Sequence, residues 1–457
     1  MEKKQSKTLI RDLTQGSVLK LLLVFSFPLM LSNLLQTLYN MVDMIVIGQF
    51  VGKVGLSAVS IGGDVQHLLT FIVMGLSGAG QVILAQYIGA NDRDHVKGTI
   101  GTMFTVIFSC AVVIGVLCLI FLDQILSLIN TPEAAFSDAR SYSLICICGI
   151  IFIYGYNLVS AILRGMGDSR HPFMFVAVAT VINLILDLVF VAGLGMGAAG
   201  AAFATVIGQA ISFIWAIIYL YLHRSEFGFD FKLKSFTPDW DILRKLVTLG
   251  LPMALQSAAI SISMLFVNAF INSYGVVASA VTGIGNKLGM VTGVITNALS
   301  TAGSTMIGQN IGAKKFQRVP KVIGISLAIN LIFAAILSSG TTFFPNAVFG
   351  VFNSDPEVLA MAMTYIPVSV MLFFGSALRS PFFALINGSG HSKLNLVVGL
   401  MDGVVCRIGL AILLGQVFSL GIMGYWLGNA LAGYMPFFVG LVFYLSGSWK
   451  RKTLLER

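Results

Sequence analysis

Twelve runs of twenty or more residues, almost free of charge and rich in Leu, Ile, Val, Phe and Ala, succeed one another along the chain. They lie at about 18–48, 55–88, 99–121, 140–163, 172–193, 198–222, 246–272, 277–308, 322–343, 359–386, 394–415 and 421–445. A run of that length crosses a hydrocarbon layer of about 30 Å as an α-helix, the one open-ended structure that satisfies its own backbone hydrogen bonds where water is absent. Only 10% of the 457 residues are charged, against roughly a quarter in soluble domains. A water-soluble particle is therefore excluded. The 48 glycines and 11 prolines fit the same reading, because both residues are commoner in membrane helices, where small side chains let backbones approach.

The basic residues give the orientation. Of the 28 Lys and Arg, 23 fall in the tails and in alternate loops on one side, and only Lys53 and Arg140 fall in loops on the other. The positive-inside rule then predicts both termini in the cytoplasm of a multi-pass protein of the plasma (inner) membrane, with an even number of spans. Lys3, Lys4, Lys7, Arg11 and Lys20 precede a first run longer than a signal-peptide core, so that run is expected to stay as an anchor. The net charge of +9 does not point to nucleic acid, because no basic stripe interleaved with aromatics occurs. Cys110, Cys118, Cys146, Cys148 and Cys406 sit inside apolar runs without a histidine set nearby and are expected only to pack.

An internal repeat sets the architecture. At an offset of 222–224 residues Pro28 matches Pro252, Ser57-Ala58-Val59 matches Ser279-Ala280-Val281, and Gln86 to Ala90 matches Gln309 to Ala313. Gly165 to Ser169 falls on Gly388 to Ser392 in the same way. Because six spans is an even number, the halves enter the membrane alike and are expected as two pseudo-twofold-related six-helix bundles, V-shaped with a central cleft. The expected division is an N-lobe over 1–222, a polar cytoplasmic linker over 223–245, a C-lobe over 246–445 and a cytoplasmic tail over 446–457. Alternating access between two lobes makes secondary transport the leading function. No phosphate-loop motif occurs, so neither nucleotide-driven transport nor enzyme chemistry is expected. Pro28 and Pro252 each remove a helix hydrogen bond and predict bends.

Ionisable residues at membrane depth are costly and are therefore candidate functional groups. The first half holds Asp43, Asp64, His67 and Asp187; the second holds Lys287, Arg379, Asp402 and Arg407. The acidic set is not duplicated, since Asp43 falls on Val267, Asp187 on Ala411 and Asn183 on Arg407. Asn183 and Asp187 are four apart and share a helix face, and Asp43 is preceded at four and seven residues by Tyr39 and Gln36. Two carboxylates with amide and hydroxyl oxygens suit a small hard cation or a carried proton. Asp64 and His67, at i and i+3, are read as a hydrogen-bonded pair or a relay. Lys287 and Asp402 are expected to form an ion pair closing the C-lobe or else to contact substrate, and Arg379 and Arg407 to snorkel toward an interface.

Helix 1 reading Gln36-Thr37-Leu38-Tyr39-Asn40-Met41-Val42-Asp43 with Ile47-Gly48 after it, the Gln-x-x-Gly-Ala ends of helices 2 and 8, and Arg164-Gly165-x-Gly167-Asp168 after helix 4 carry a resemblance over nearly the whole chain. Together they resemble the multidrug and toxic compound extrusion (MATE) family, and most closely its bacterial and archaeal DNA-damage-inducible branch. The resemblance implies a cation site made of Asp43, Asn157, Asn183, Asp187 and Thr205, with Gln36 and Tyr39 lining the same pocket. An acidic residue that another branch places on helix 7 is absent, Gln256 and Ser257 standing there. The resemblance further implies antiport, in which protons or sodium ions enter while amphipathic, often cationic compounds leave. It implies no cofactor beyond that coupling ion, and the protein is expected to act as a monomer in the bilayer. A second reading is a lipid-linked saccharide flippase of the same superfamily, which the C-lobe basic residues would serve. A channel or receptor is the third, without a charged pore or sensory domain to support it.

Overall fold

The structure is a computed structural model that describes residues 10–451 and residue 454, leaving aside the side chain of Phe227. Lys3, Lys4, Lys7 and the last three residues, on which the expected sidedness of the termini partly rests, lie outside the described residues. Among those described, all regular structure is helical.

Twelve long segments follow the apolar runs: α1 Val18–Phe50, α2 Gly52–Gly89, α3 Arg93–Ile120, α4 Glu133–Cys148 with Ile150–Gly165, α5 Arg170–Gly193 and α6 Gly197–Leu222 in the first half. The second half has α7 Trp240–Asn272, α8 Val276–Gly312, α9 Val319–Phe343, α10 Pro356–Gly388, α11 Ser392–Val417 and α12 Ile422–Ser446. Ten of these pass as single spans by length and hydropathy, and α4 joins them as a span bent by 50°. The bend falls at Gly149, where a Cβ would stand 2.5 Å from Val206 of α6, so the close approach of α6 occupies the space a side chain needs. The remaining helix, α8, is less apolar because seven of its residues are Gly and it carries eight Thr and Ser. Those small residues let α8 lie against α10 as tightly as α2 lies against α4.

The repeat is visible contact by contact. A Cβ at Gly62 of α2 would stand 2.3 Å from the Tyr142 ring, and one at Gly285 of α8 would stand 2.3 Å from the Tyr365 ring. Likewise Gly165 faces the Gln81 carbonyl and Gly388 the Ser304 carbonyl, at 2.9 and 2.6 Å from the position of a Cβ. A π-helical turn ends α5 at Leu188–Gly193, and another ends α11 at Leu413–Val417. The second half adds a π turn without a partner in the first, Met401–Ile408, which carries Asp402 and Arg407.

The chain divides into two compact units, but not at residues 222 and 245. Phe27–Leu251 belongs to one unit, while Leu13–Ser26 joins Pro252 and the residues after it in the other. The divisions inside α1 and α7 therefore fall beside Pro28 and Pro252, the residues that interrupt the ladder of each helix. Residues 223–239 are not a free spacer either. Gly101, Thr102 and Thr105 present a small polar face of α3 to this segment: the Asp239 amide donates to Thr102 Oγ1 at 3.0 Å and the Thr105 hydroxyl donates to the Phe236 carbonyl. Phe229, Phe231 and Phe236 pack their rings around Phe104. Within it the Ser235 hydroxyl and the Lys232 amide donate to Asp230 and hold its carboxyl below the usual range.

Candidate functional site: a buried acid pair in the first unit

Asp43 on α1 and Asp187 on α5 are 7% and 1% exposed, and their carboxyl groups lie within hydrogen-bond reach of one another. Asp187 is the last residue before the π turn, whose wider winding changes the phase of the helix immediately after it. One turn earlier Asn183 is also buried, on the same face. Thr205 of α6 ties the helices together: its hydroxyl is 2.9 Å from the Tyr39 hydroxyl, and the Asn183 amide donates to it at 3.4 Å. Gly208, one turn beyond Thr205, makes this possible, since a Cβ there would stand 3.0 Å from the Ala179 carbonyl of α5.

Three buried oxygens in this cluster, Asp43 Oδ1, Asn183 Oδ1 and Asp187 Oδ1, accept no hydrogen bond from the protein. Buried acceptors without donors are costly, and two carboxylates in contact repel unless a proton or a cation lies between them. The donor set is all oxygen, which suits a proton or a small hard cation and not a soft metal.

Beside the acid pair opens a cavity of about 170 Å³, lined by Gln36, Tyr39, Asn183 and Thr205 together with Asn40, Tyr156, Thr180 and Gln209. The last four were not singled out from the sequence, although Thr180 precedes Asn183 by three and Gln209 follows Thr205 by four, the spacing that shares a helix face. Asn157 stands next to cavity-lining Tyr156, but its amide donates to the Ile153 carbonyl of its own helix at 2.8 Å. Asp64 and His67 lie elsewhere. Both are exposed on α2, no hydrogen bond joins their side chains, and His67 meets Phe71 edge-on at 4.8 Å.

The expected Lys287–Asp402 pair does not form. Asp402 Oδ1 accepts from Arg407 at 2.8 Å and Oδ2 is 4.0 Å from Arg379, while Lys287 is exposed and lies 5.5 Å above the Phe352 ring. Arg407 is 4% exposed and donates also to Asn429, so it does not snorkel.

Comparison with known proteins identifies the family. The chain is 29% identical to a probable multidrug resistance protein, YoeA, of Bacillus subtilis, over 99% of each chain. It is 28% identical to a second from that organism, YpnP, over 97% of this chain and 98% of the other. A solved outward-facing multidrug resistance MATE transporter of the MOP superfamily superposes with a TM-score of 0.90 at 22% identity, covering 98% and 100% of the two chains. The family model described as MatE matches twice, over residues 28–189 and 252–432. The matches begin at Pro28 and Pro252, once per six-helix repeat, and the chain belongs to the MATE family of multi-pass membrane transporters.

Proposed function

We propose that the protein is a secondary antiporter that exports small amphipathic, often cationic organic compounds from the cytoplasm by alternating access, coupled to entry of protons or sodium ions at Asp43 and Asp187. The buried acid pair carries this reading, because its partnerless oxygens adjoin a cavity that shares Asn183 and Thr205 with it. A cation between the carboxylates relieves their repulsion and supplies Asn183 Oδ1 with a partner; when the cation leaves, the pair is restless and α1 has reason to shift. Pro28 gives α1 a bend point on the side away from Asp43 in sequence, so the segment bearing Tyr39 and Asp43 can move as a piece. A ligand shifts a two-state equilibrium only through its differential affinity for the states. Substrate in the cavity and cation at the acid pair both touch Tyr39, Asn183 and Thr205, so occupancy of one site alters the other. The names of the two Bacillus relatives support the substrate class. The protein is read as a monomer in the plasma membrane with the linker and both termini in the cytoplasm.

The test is efflux of a fluorescent organic cation from proteoliposomes under an imposed sodium gradient or an imposed pH gradient, one at a time. One of the two gradients should drive efflux by the wild type, and neither should drive it in Asp43→Asn or Asp187→Asn protein of normal yield. Gradient-driven efflux by the double variant would overturn the assignment.

A further inference from the structure

The repeat superimposes the sequence of the first-unit site on a group of the opposite charge. At the offsets that align Gly165 with Gly388 and Gly200 with Gly424, Tyr156 falls on Arg379, Asn183 on Arg407 and Thr205 on Asn429. The register is physical as well as numerical. Asn183 donates to Thr205 in the first unit, and Arg407 donates to Asn429 in the second. In the first unit all three positions line the cavity. In the second, Arg407 takes the place of the amide, and its buried guanidinium is held by Asp402 at 2.8 Å. A cation is thus part of the chain here and cannot exchange.

The balance of charge leaves Arg379 over. Arg407 answers Asp402, the one carboxylate of the cluster, and Arg379 Nη1 is 4.0 Å from the same carboxylate, beyond hydrogen-bond reach. Arg379 donates no hydrogen bond among the described residues, and its side chain is 30% exposed. It sits nine residues before the end of α10 at Gly388, about 13 Å along the helix axis, well inside the span. A guanidinium at that depth carries five donors in a planar fork whose natural complement is a carboxylate or phosphate.

We propose that Arg379 is the recognition residue of a second-unit anion subsite, and that it binds the carboxylate of organic substrates carrying one. Arg407 and Asn429 back this subsite as Asn183 and Thr205 back the cavity of the first unit. The inference rests on the export reading above and names the residue that reads an anionic group on the substrate.

A matched pair of dyes tests it: rhodamine 110, with a free carboxylate, and rhodamine 123, its methyl ester. Binding of each to the purified full chain in detergent is followed by fluorescence anisotropy. Charge-assisted hydrogen bonds predict that Arg379→Gln weakens rhodamine 110 about ten- to a hundredfold while leaving rhodamine 123 within about twofold. Arg379→Lys, which keeps the charge and loses the fork, should weaken rhodamine 110 by about threefold. Should Arg379→Gln aggregate, that lysine variant decides, and equal changes for both dyes, or none for either, overturn the proposal. If Arg379→Gln instead abolishes binding of added phosphatidylglycerol and leaves rhodamine 110 untouched, the anion is a lipid phosphate and the substrate assignment fails. Failure of both dyes to bind the wild type would overturn the export reading and this inference with it, whereas selective loss of rhodamine 110 binding requires both.

Discussion

Asn183 with Thr205, and Arg407 with Asn429, are one contact made twice with different charge. In the first unit the amide leaves its own oxygen and one oxygen of each of two carboxylates without donors. In the second the guanidinium donates to Asp402 and Asn429 from within the chain, leaving Asp402 Oδ2 and Arg407 Nε without partners. The difference teaches that duplication preserved the scaffold of small residues around the site while the site itself diverged. Gly62 and Gly285 still receive equivalent tyrosines, yet the groups they position no longer do the same chemistry. One unit keeps buried acceptors without donors, and the other places a basic side chain among them.

The largest separation should come from deleting an acid in each unit. Asp402→Ala strands Arg407 in a buried site, and loss of one partner of a buried pair costs about 3–5 kcal/mol. Yield and melting temperature in detergent should fall sharply. Asp43→Asn, by contrast, removes a charge that faces another carboxyl and no basic side chain, and should melt at or above the wild-type temperature. Equal melting losses would break the distinction between a fixed and an exchangeable cation. Next in size are Gly62→Ala and Gly285→Ala, each forcing a methyl into a tyrosine ring. Overpacking costs about 1–3 kcal/mol, and the two variants should lose similar stability because the contact is the same; a twofold disparity in the loss would show that the scaffolds have diverged too. Thr205→Val keeps the volume but deprives Tyr39 and Asn183 of their shared partner. A net hydrogen bond is worth about 0.5–1.5 kcal/mol, so the cation concentration for half-maximal efflux should rise several-fold, while Asn429→Val in the second unit should leave it unchanged. Smallest of all is Lys287→Ala. An exposed cation–π contact contributes about 0.5–1 kcal/mol at most, and the melting temperature should move by little more than its error.

Much of this was legible in the chain. Apolar length alone placed the twelve helices, and the glycine and proline pairs placed the repeat, because close helix contacts admit only small side chains and leave a periodic trace. The shared face of Asn183 and Asp187 followed from α-helical spacing. The pairing of Asp402 with Arg407 did not, for a physical reason: in an α-helix residues five apart point about 140° away from one another. The π turn at Met401–Ile408 winds more slowly and returns both to one face, and no residue in that stretch announces the change. Lys287 was paired with Asp402 because charge complementarity was the only guide left. The linker misled differently. Its polar composition reads as a spacer, whereas Phe229, Phe231 and Phe236 are interspersed among the charges and find their partner on α3, 125 residues upstream of Phe229 in Phe104.

The passage of α1 from one unit to the other has a consequence for the order of synthesis. The Leu13 amide donates to Gln309 Oε1 at 2.9 Å, across 296 residues, and Lys315 reaches Thr14. A ribosome extending the chain at about 5–20 residues per second needs roughly 15–60 s to make the second partner after the first. Through that interval the opening segment of the protein is in the membrane or at its surface with its destination unmade. A truncated chain ending at 222 would hold Leu13–Ser26 permanently in that state, and coexpressed halves cut there would have to exchange this segment before either could finish folding.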